Sequence, residues 1–302
     1  PRSDHAEAWK IQQTVGPAGK YGVTIMMTTA QLHRAAEQEG LRFDQIEKDY
    51  VILWILSGLS HSDAKEHGWV FKGGTCLRHC YYDGYRFSED IDFSCEPEGE
   101  NLEASLRLLE KVAAWVVNES GIRLSVREPL TVSGDFQIEI PVEYNRGGMR
   151  RQGLPQVKVH LTFDEPILEE AAVRSIKPGY ADLSLFGIAA YSKKEIVAEK
   201  MRSLLQQQKK WPRPRDLYDL WYILCKSDEH FSWQELKPLF DEKCRVRGIQ
   251  PDIEKLTSNT LLEWNEKAWL SRLGPMLKDV PDFDRVWKEW VETFQGLIKN
   301  RK

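Results

Sequence analysis

Cysteine is scarce and poorly placed for chemistry. Cys76, Cys80, Cys95, Cys225 and Cys244 form an odd, scattered set without CxxC spacing, so neither a disulfide framework nor a zinc site is expected. Cys76, His79 and Cys80 lie close together, but on a helix after a glycine turn, where a packed face explains them better than a site lacking its other ligands. No run approaches the ~18 uninterrupted apolar residues of a membrane span. No charged-then-apolar leader is visible either, so no membrane association is expected and the cytoplasm is the expected compartment. Positive charge is not in excess: 42 Lys and Arg against 46 Asp and Glu give a net charge of −4, which excludes a general nucleic-acid coat and confines any basic surface to a local stretch. A Walker loop, a GxGxxG turn and a Ser/His/Asp set are all missing, which removes ATPase, dehydrogenase and hydrolase readings.

What is present begins with size: 302 residues at 41% hydrophobic content suffice for a large core and about two lobes. The chemistry concentrates in residues 71–95, FKGGTCLRHCYYDGYRFSEDIDFSC. Val70, Phe71 and Lys72 read as a strand end, Gly73 and Gly74 permit close backbone approach, and Thr75 reads as the N-cap of a following helix whose N–H groups attract phosphate. Asp90 and Asp92 sit two apart in DIDF; on a strand that spacing puts both carboxylates on one face, about 6.6 to 6.8 Å apart at Cα, where they can share a divalent cation in a phosphoryl transfer. Either half alone is weak, since a GGT turn or an acidic strand edge needs no ligand.

Elsewhere the pattern is that of scaffold. Thr28 or Thr29 caps a first helix reaching Glu39, and Asp44 with Glu47 marks the start of a second ending near Gly58. A helix over 102–118 carries Leu106, Leu109, Val112, Ala113 and Val116 as its buried stripe. RLSVREP, DFQIEIPVEY and QVKVHLTF read as strands, with Phe136, Ile138, Ile140 and Val142 alternating with Gln137, Glu139 and Glu143. SLFGIAAYS adds a further apolar run, and Ser192 with Glu195 caps the helix that carries Lys200. Beyond about residue 193 the pattern is helical, with Asp282 or Asp284 opening the last helix. The expected fold is α+β, a mixed sheet flanked by helices and followed by a C-terminal helical lobe. From Lys193 to Arg215 eight basic residues, Lys209 among them, face Glu195 and Glu199, with Asp216 just beyond, which is either a solvated helix face or a nucleic-acid contact.

The stretch around DIDF resembles the first motif of the AbiEii/AbiGii nucleotidyltransferase toxin family, in Gly73, Gly74, Thr75, Arg86, Phe87, Ser88, Asp90 and Asp92. The likeness extends to IEKDYVILWIL, EIVAEKMRSLL and RPRDLYDLWYIL, and so to most of the chain from Met26 onward. It implies a nucleotidyltransferase-type sheet over 27–190, a helical domain over 191–302, and an extension without function over 1–26, because MTTAQLHRAA resembles the usual start. It further implies a metal-dependent transferase of a two-gene toxin–antitoxin or phage-defence system, taking an NTP with Mg²⁺ (or Mn²⁺). The acceptor would be RNA, in some members a tRNA 3′ end, or a protein such as a cognate antitoxin. Asp90 and Asp92 become the metal ligands, and Gly73, Gly74, Thr75, Arg78, Arg86 and Ser88 the nucleotide contacts. Lys200 matches the family's lysine motif and would neutralise the triphosphate; its loss should weaken nucleotide binding more than folding. Arg215, Asp216 and Asp219 match Arg-Asp-x-x-Asp, one of the acids orienting Lys200 or Arg215. The register of such a fold calls for a third acid where His160 stands. His160 is a poor magnesium ligand and is read as a general base, with Glu139 and Asp164 as alternative third groups and a catalytically weakened binding protein as the alternative function.

Overall fold

The computed structural model describes residues 26–62, 67–95, 102–133, 137–147, 153–207 and 210–299. Expectations for residues 1–25, Phe136 and Lys209 lie outside the described residues. Helix α1 (Thr29–Glu39) starts at Thr28, whose hydroxyl accepts from Gln31 N–H in a capping box, and stops at Gly40 with φ +67°. Helix α2 (Phe43–Ser60) begins two residues earlier than the Asp44/Glu47 pattern implied: the Arg42 N–H donates to Gln45 Oε1 at 3.0 Å, and Asp44 instead pairs with Arg42. Buried on nearly every side, α2 is an internal brace, in contact with α1, with α4 (Leu102–Ser120) and with the sheet. The buried stripe of α4 is Leu108, Leu109, Val112 and Val116 with Ser105; Leu106 and Ala113 lie at its margin.

The sheet comprises β1 (Trp69–Lys72), β2 (Asp90–Cys95), β3 (Arg123–Val126), β4 (Leu130–Ser133), β5 (Gln137–Asn145), β6 (Gln156–Thr162), β7 (Ala172–Ile176) and β8 (Phe186–Ala190). Its order is β3-β5-β6-β2-β1-β8-β7, with β4 paired to β5, and it is mixed: β2–β6 and β1–β8 are parallel, the other pairs antiparallel. Alternation sorts the two faces. Ile91, Phe93, Ile140, Val157, Val159 and Leu161 are buried in the core, and complete burial stabilises each by roughly 1.5–3 kcal/mol. Asp90, Asp92, Lys158, His160, Gln137 and Glu139 therefore share the opposite face. Register then aligns Lys72, Asp92, His160 and Glu139 as one cross-strand row of alternating charge.

After β8 the described chain is helical: α5 (Lys193–Gln206), α6 (Pro214–Trp221, prolonged by a π-turn to Lys226), α7 (Trp233–Val246), α8 (Asn259–Leu273) and α9 (Phe283–Lys299). Ser192 caps α5, but the Glu195 carboxylate, rather than closing a capping box, accepts from the Leu168 and Glu169 N–H groups and pairs with Lys243. Asp282 accepts from Arg285 N–H and starts α9. Buried apolar side chains form one connected cluster from Leu32 to Phe294, so these helices share the core of the sheet.

Candidate active site

The glycine turn is shaped by what must lie against it. Gly73 has φ +79°, and a Cβ there would fall 2.4 Å from Asp92 Oδ2; a Cβ on Gly74 would meet Arg86 Nη2 at 2.7 Å and Ser88 Oγ at 2.9 Å. The helix after β1, α3 (Gly73–Cys76, continued as a π-turn through Tyr81), takes Lys72 as its N-cap. Thr75 is therefore not the cap. It is fully buried, its hydroxyl donates to the Asp90 carbonyl, and it fixes α3 against β2 rather than meeting a ligand.

Asp90 and Asp92 open from β2 into a cavity of about 770 Å³, within the range of small-molecule sites. Gly73, Gly74, Arg86, Ser88, His160, Lys200, Arg215 and Asp216 line the same cavity. Burial and the neighbouring Asp92 push the Asp90 carboxyl above its ordinary range. Burial acts on Asp92 in the same sense, yet the His160 hydrogen bond and charge, with Lys72 and Lys200, hold that carboxyl below its ordinary range. The oxygen donors of this pair fit a hard divalent cation, which binds through one or two carboxylates together with water and substrate phosphate. Among the described residues no cluster of three or more His, Cys, Asp and Glu ligands exists.

His160 stands between two carboxylates: Nδ1 lies 2.9 Å from Asp92 Oδ1 and Nε2 3.1 Å from Glu139 Oε2. Burial opposes its charge, but the two acids prevail and push it up to about 9. An imidazolium engaged by carboxylates at both nitrogens has no lone pair to accept a proton, so this arrangement speaks against a general base and sets the ring against Asp92. Glu139 reaches the site only through His160, and also pairs with Lys158 at 3.0 Å. Asp164 pairs with Arg247 and does not line the cavity.

On the helical side Lys200 Nζ is shared by Asp216 Oδ1 (3.0 Å) and Asp219 Oδ2 (2.5 Å). Burial would lower its pKa, and the two acids raise it. Asp219 is completely buried, accepts both a bidentate Arg86 (2.5 and 2.6 Å) and the Tyr85 hydroxyl (2.6 Å), and is held down at about 2 by Arg86 and Lys200 against burial. It orients the two cations and does not itself reach the cavity. Because Lys200 sits between two acids, its removal would cost folding stability as well as nucleotide binding. Arg78 faces away, bound to Asp49, Glu39 and the Tyr85 carbonyl, and is not a phosphate contact. Lys72, Glu165, Glu199, Arg202 and Arg247 also line this cavity and were missed, because their pairings span up to 127 residues. Trp211 and Arg272 were also missed; Trp211 stands in a Trp-Pro-Arg-Pro run.

Two carboxylates and an ammonium held by acids line one cavity. Residues 54–293 match the family described as "Nucleotidyl transferase AbiEii toxin, Type IV TA system". The chain belongs to that family; the match starts later than the resemblance drawn from Met26. Among solved structures it is similar to MenT4, a nucleotidyltransferase toxin from Mycobacterium tuberculosis, at 18% identity over 91% of each chain with a TM-score of 0.54. A putative nucleotidyltransferase from H. pylori shares 20% identity over 86% of this chain and 96% of its own, with a TM-score of 0.56. JHP933 from Helicobacter pylori shares 18% over 86% and 94%, with a TM-score of 0.53. At these identities the likeness is one of fold. No curated protein matches the chain.

Proposed function

We propose that this nucleotidyltransferase moves a nucleotide from an NTP to an RNA acceptor, in particular a tRNA 3′ end, as the toxin partner of a cognate antitoxin. The observation carrying this reading is that Asp90, Asp92, Lys200 and Arg215 face one cavity. The acceptor hydroxyl oxygen bonds to the α-phosphorus, the α–β phosphoanhydride bond breaks, pyrophosphate leaves with the bonding pair, and the hydroxyl proton is lost to water. Mg²⁺ or Mn²⁺ held by Asp90 and Asp92 would neutralise charge on the reacting phosphate. Gly73 and Gly74 leave room for Asp92, Arg86 and Ser88 to close on the turn; His160 fixes the Asp92 carboxylate; Lys200, with Arg215 at the cavity edge, offers positive charge to the outer phosphates.

Incubation with Mg²⁺, labelled NTPs and total tRNA tests the proposal. Label should pass to RNA and be lost in Asp92→Ala. Label on a protein would redirect the acceptor assignment, and tight NTP binding without transfer would mark a weakened enzyme. Among the described residues no helix is long and apolar enough to cross a membrane.

A further inference from the structure

The charge of the cavity is distributed unevenly between floor and mouth. The inner cations are held by carboxylates of the protein: Lys200 by Asp216 and Asp219, Arg86 by Asp219, and Lys72 by Glu165 and Glu199. At the mouth Arg215 and Arg272 are exposed and form no ion pair among the described residues, and Arg213 has a single 3.5 Å contact with Asp216.

The same mouth carries Trp211, 66% exposed, whereas every other described Trp, Tyr and Phe is buried or half-buried. Its presentation is built into the chain. Pro212 holds Trp211 in extended backbone, and Pro214 stiffens the same segment. The Arg213 N–H donates to Gln207 Oε1 at 3.1 Å, and that oxygen is also held by the buried Asn265 Nδ2 at 3.1 Å. An indole left in water contributes little to the fold. On a braced loop beside unpaired guanidinium groups it is placed for a ligand that is flat and anionic at once. Unpaired nucleotides have both properties, while a duplex hides its base faces and a bound NTP commits its phosphates to the floor.

We infer that Trp211 is a stacking platform for an unpaired base of a single-stranded RNA acceptor, with Arg213 and Arg272 receiving its backbone phosphates. The inference rests on the proposed transfer to RNA, and its test reads binding rather than turnover.

A labelled single-stranded oligoribonucleotide, and the same sequence as a blunt duplex, are titrated by anisotropy with the full chain, Trp211→Ala and Trp211→Phe; labelled NTP is titrated in parallel. Wild type should prefer the single strand. Trp211→Ala should weaken that binding about ten- to a hundredfold, Trp211→Phe should restore most of it, and NTP affinity should not move. Arg272→Gln should flatten the slope of log affinity against log salt by about 0.7. Equal RNA affinity of wild type and Trp211→Ala would overturn the platform and leave the transferase reading intact. Loss of NTP affinity in its place would give the indole to the incoming nucleotide and overturn it too. A wild type without affinity for RNA, labelling protein instead, would remove the platform and the RNA acceptor together.

Discussion

Arg78 and Arg86 lie eight positions apart in one motif, are 9% and 4% exposed, and are each bound to a buried aspartate, yet only one of them belongs to the cavity. Asp49 receives Arg78 and the Tyr180 hydroxyl; Asp219 receives Arg86, the Tyr85 hydroxyl and Lys200. Tyr85 joins the two clusters, its hydroxyl on Asp219 and its carbonyl accepting from Arg78. By burial and pairing they are near twins, so those properties report stability and not function. What separates them is Lys200, which carries one cluster to the cavity wall, and the glycine turn packed against Arg86. A buried arginine is thus assigned to a site by what its partner also holds.

The largest test breaks each cluster at its aspartate. Asp219→Ala and Asp49→Ala each strand a buried cation, and each should cost about 3–5 kcal/mol in urea unfolding. Transfer measured per folded molecule should collapse only for Asp219→Ala, because only there is Lys200 released. Next come Arg86→Lys and Arg78→Lys, which give up the planar guanidinium contacts on Asp219 and Asp49, each at about 1.5–3 kcal/mol. The nucleotide affinity of Arg78→Lys should match wild type, and that of Arg86→Lys should fall. Equal loss in both would erase the distinction drawn here.

This contrast also marks how far the sequence could be read. Period-2 spacing in DIDF placed Asp90 and Asp92 on one face, because strand geometry is local, whereas His160 was brought beside them by the register that the family resemblance implied. The capping hydroxyls of Thr28 and Ser192 were legible for the same reason. Strands β4 and β7 were not, since LTVS and AVRSI are short and β7 is exposed along most of its length, without a core side to pattern it. The charge of His160 depended on Asp92 and then Glu139, neighbours set by strand register rather than by the local sequence. Arg78 and Arg86 could not be told apart, because their partners Asp49 and Asp219 lie 29 and 133 residues away from them in sequence.

The glycine turn offers a smaller and more local test. In Gly74→Ala the new methyl meets Arg86 and Ser88, and Arg86 cannot withdraw without leaving Asp219. About 1–3 kcal/mol should be lost, together with nucleotide affinity. Gly84→Ala, at φ +68° but in open space, should cost only the left-handed strain of about 1–2 kcal/mol and leave affinity unchanged.

Acid gives the smallest effect, and it should act on the two clusters alike. Asp219, at about 2 in the fold against 3.8 unfolded, binds its proton more readily once unfolded. The stability it contributes is complete above 3.8 and is lost as pH falls through that value towards about 2. Asp49 is lowered from the same 3.8 by His79 and Arg78 despite burial, so its contribution declines over the same window. Glu165, held at about 2 against 4.5 by Lys72 and Arg202 despite burial, begins its decline earlier. Together Glu165 and Asp219 should cost about 1 kcal/mol between pH 5 and pH 4, seen as a falling urea midpoint. Asp219→Asn and Asp49→Asn should each flatten that fall to a similar degree, although only the first alters transfer at neutral pH. An acid response confined to Asp219→Asn would show that the clusters differ in energetics as well, and that the cavity, rather than burial and pairing, sets the affinity of Asp219 for its proton.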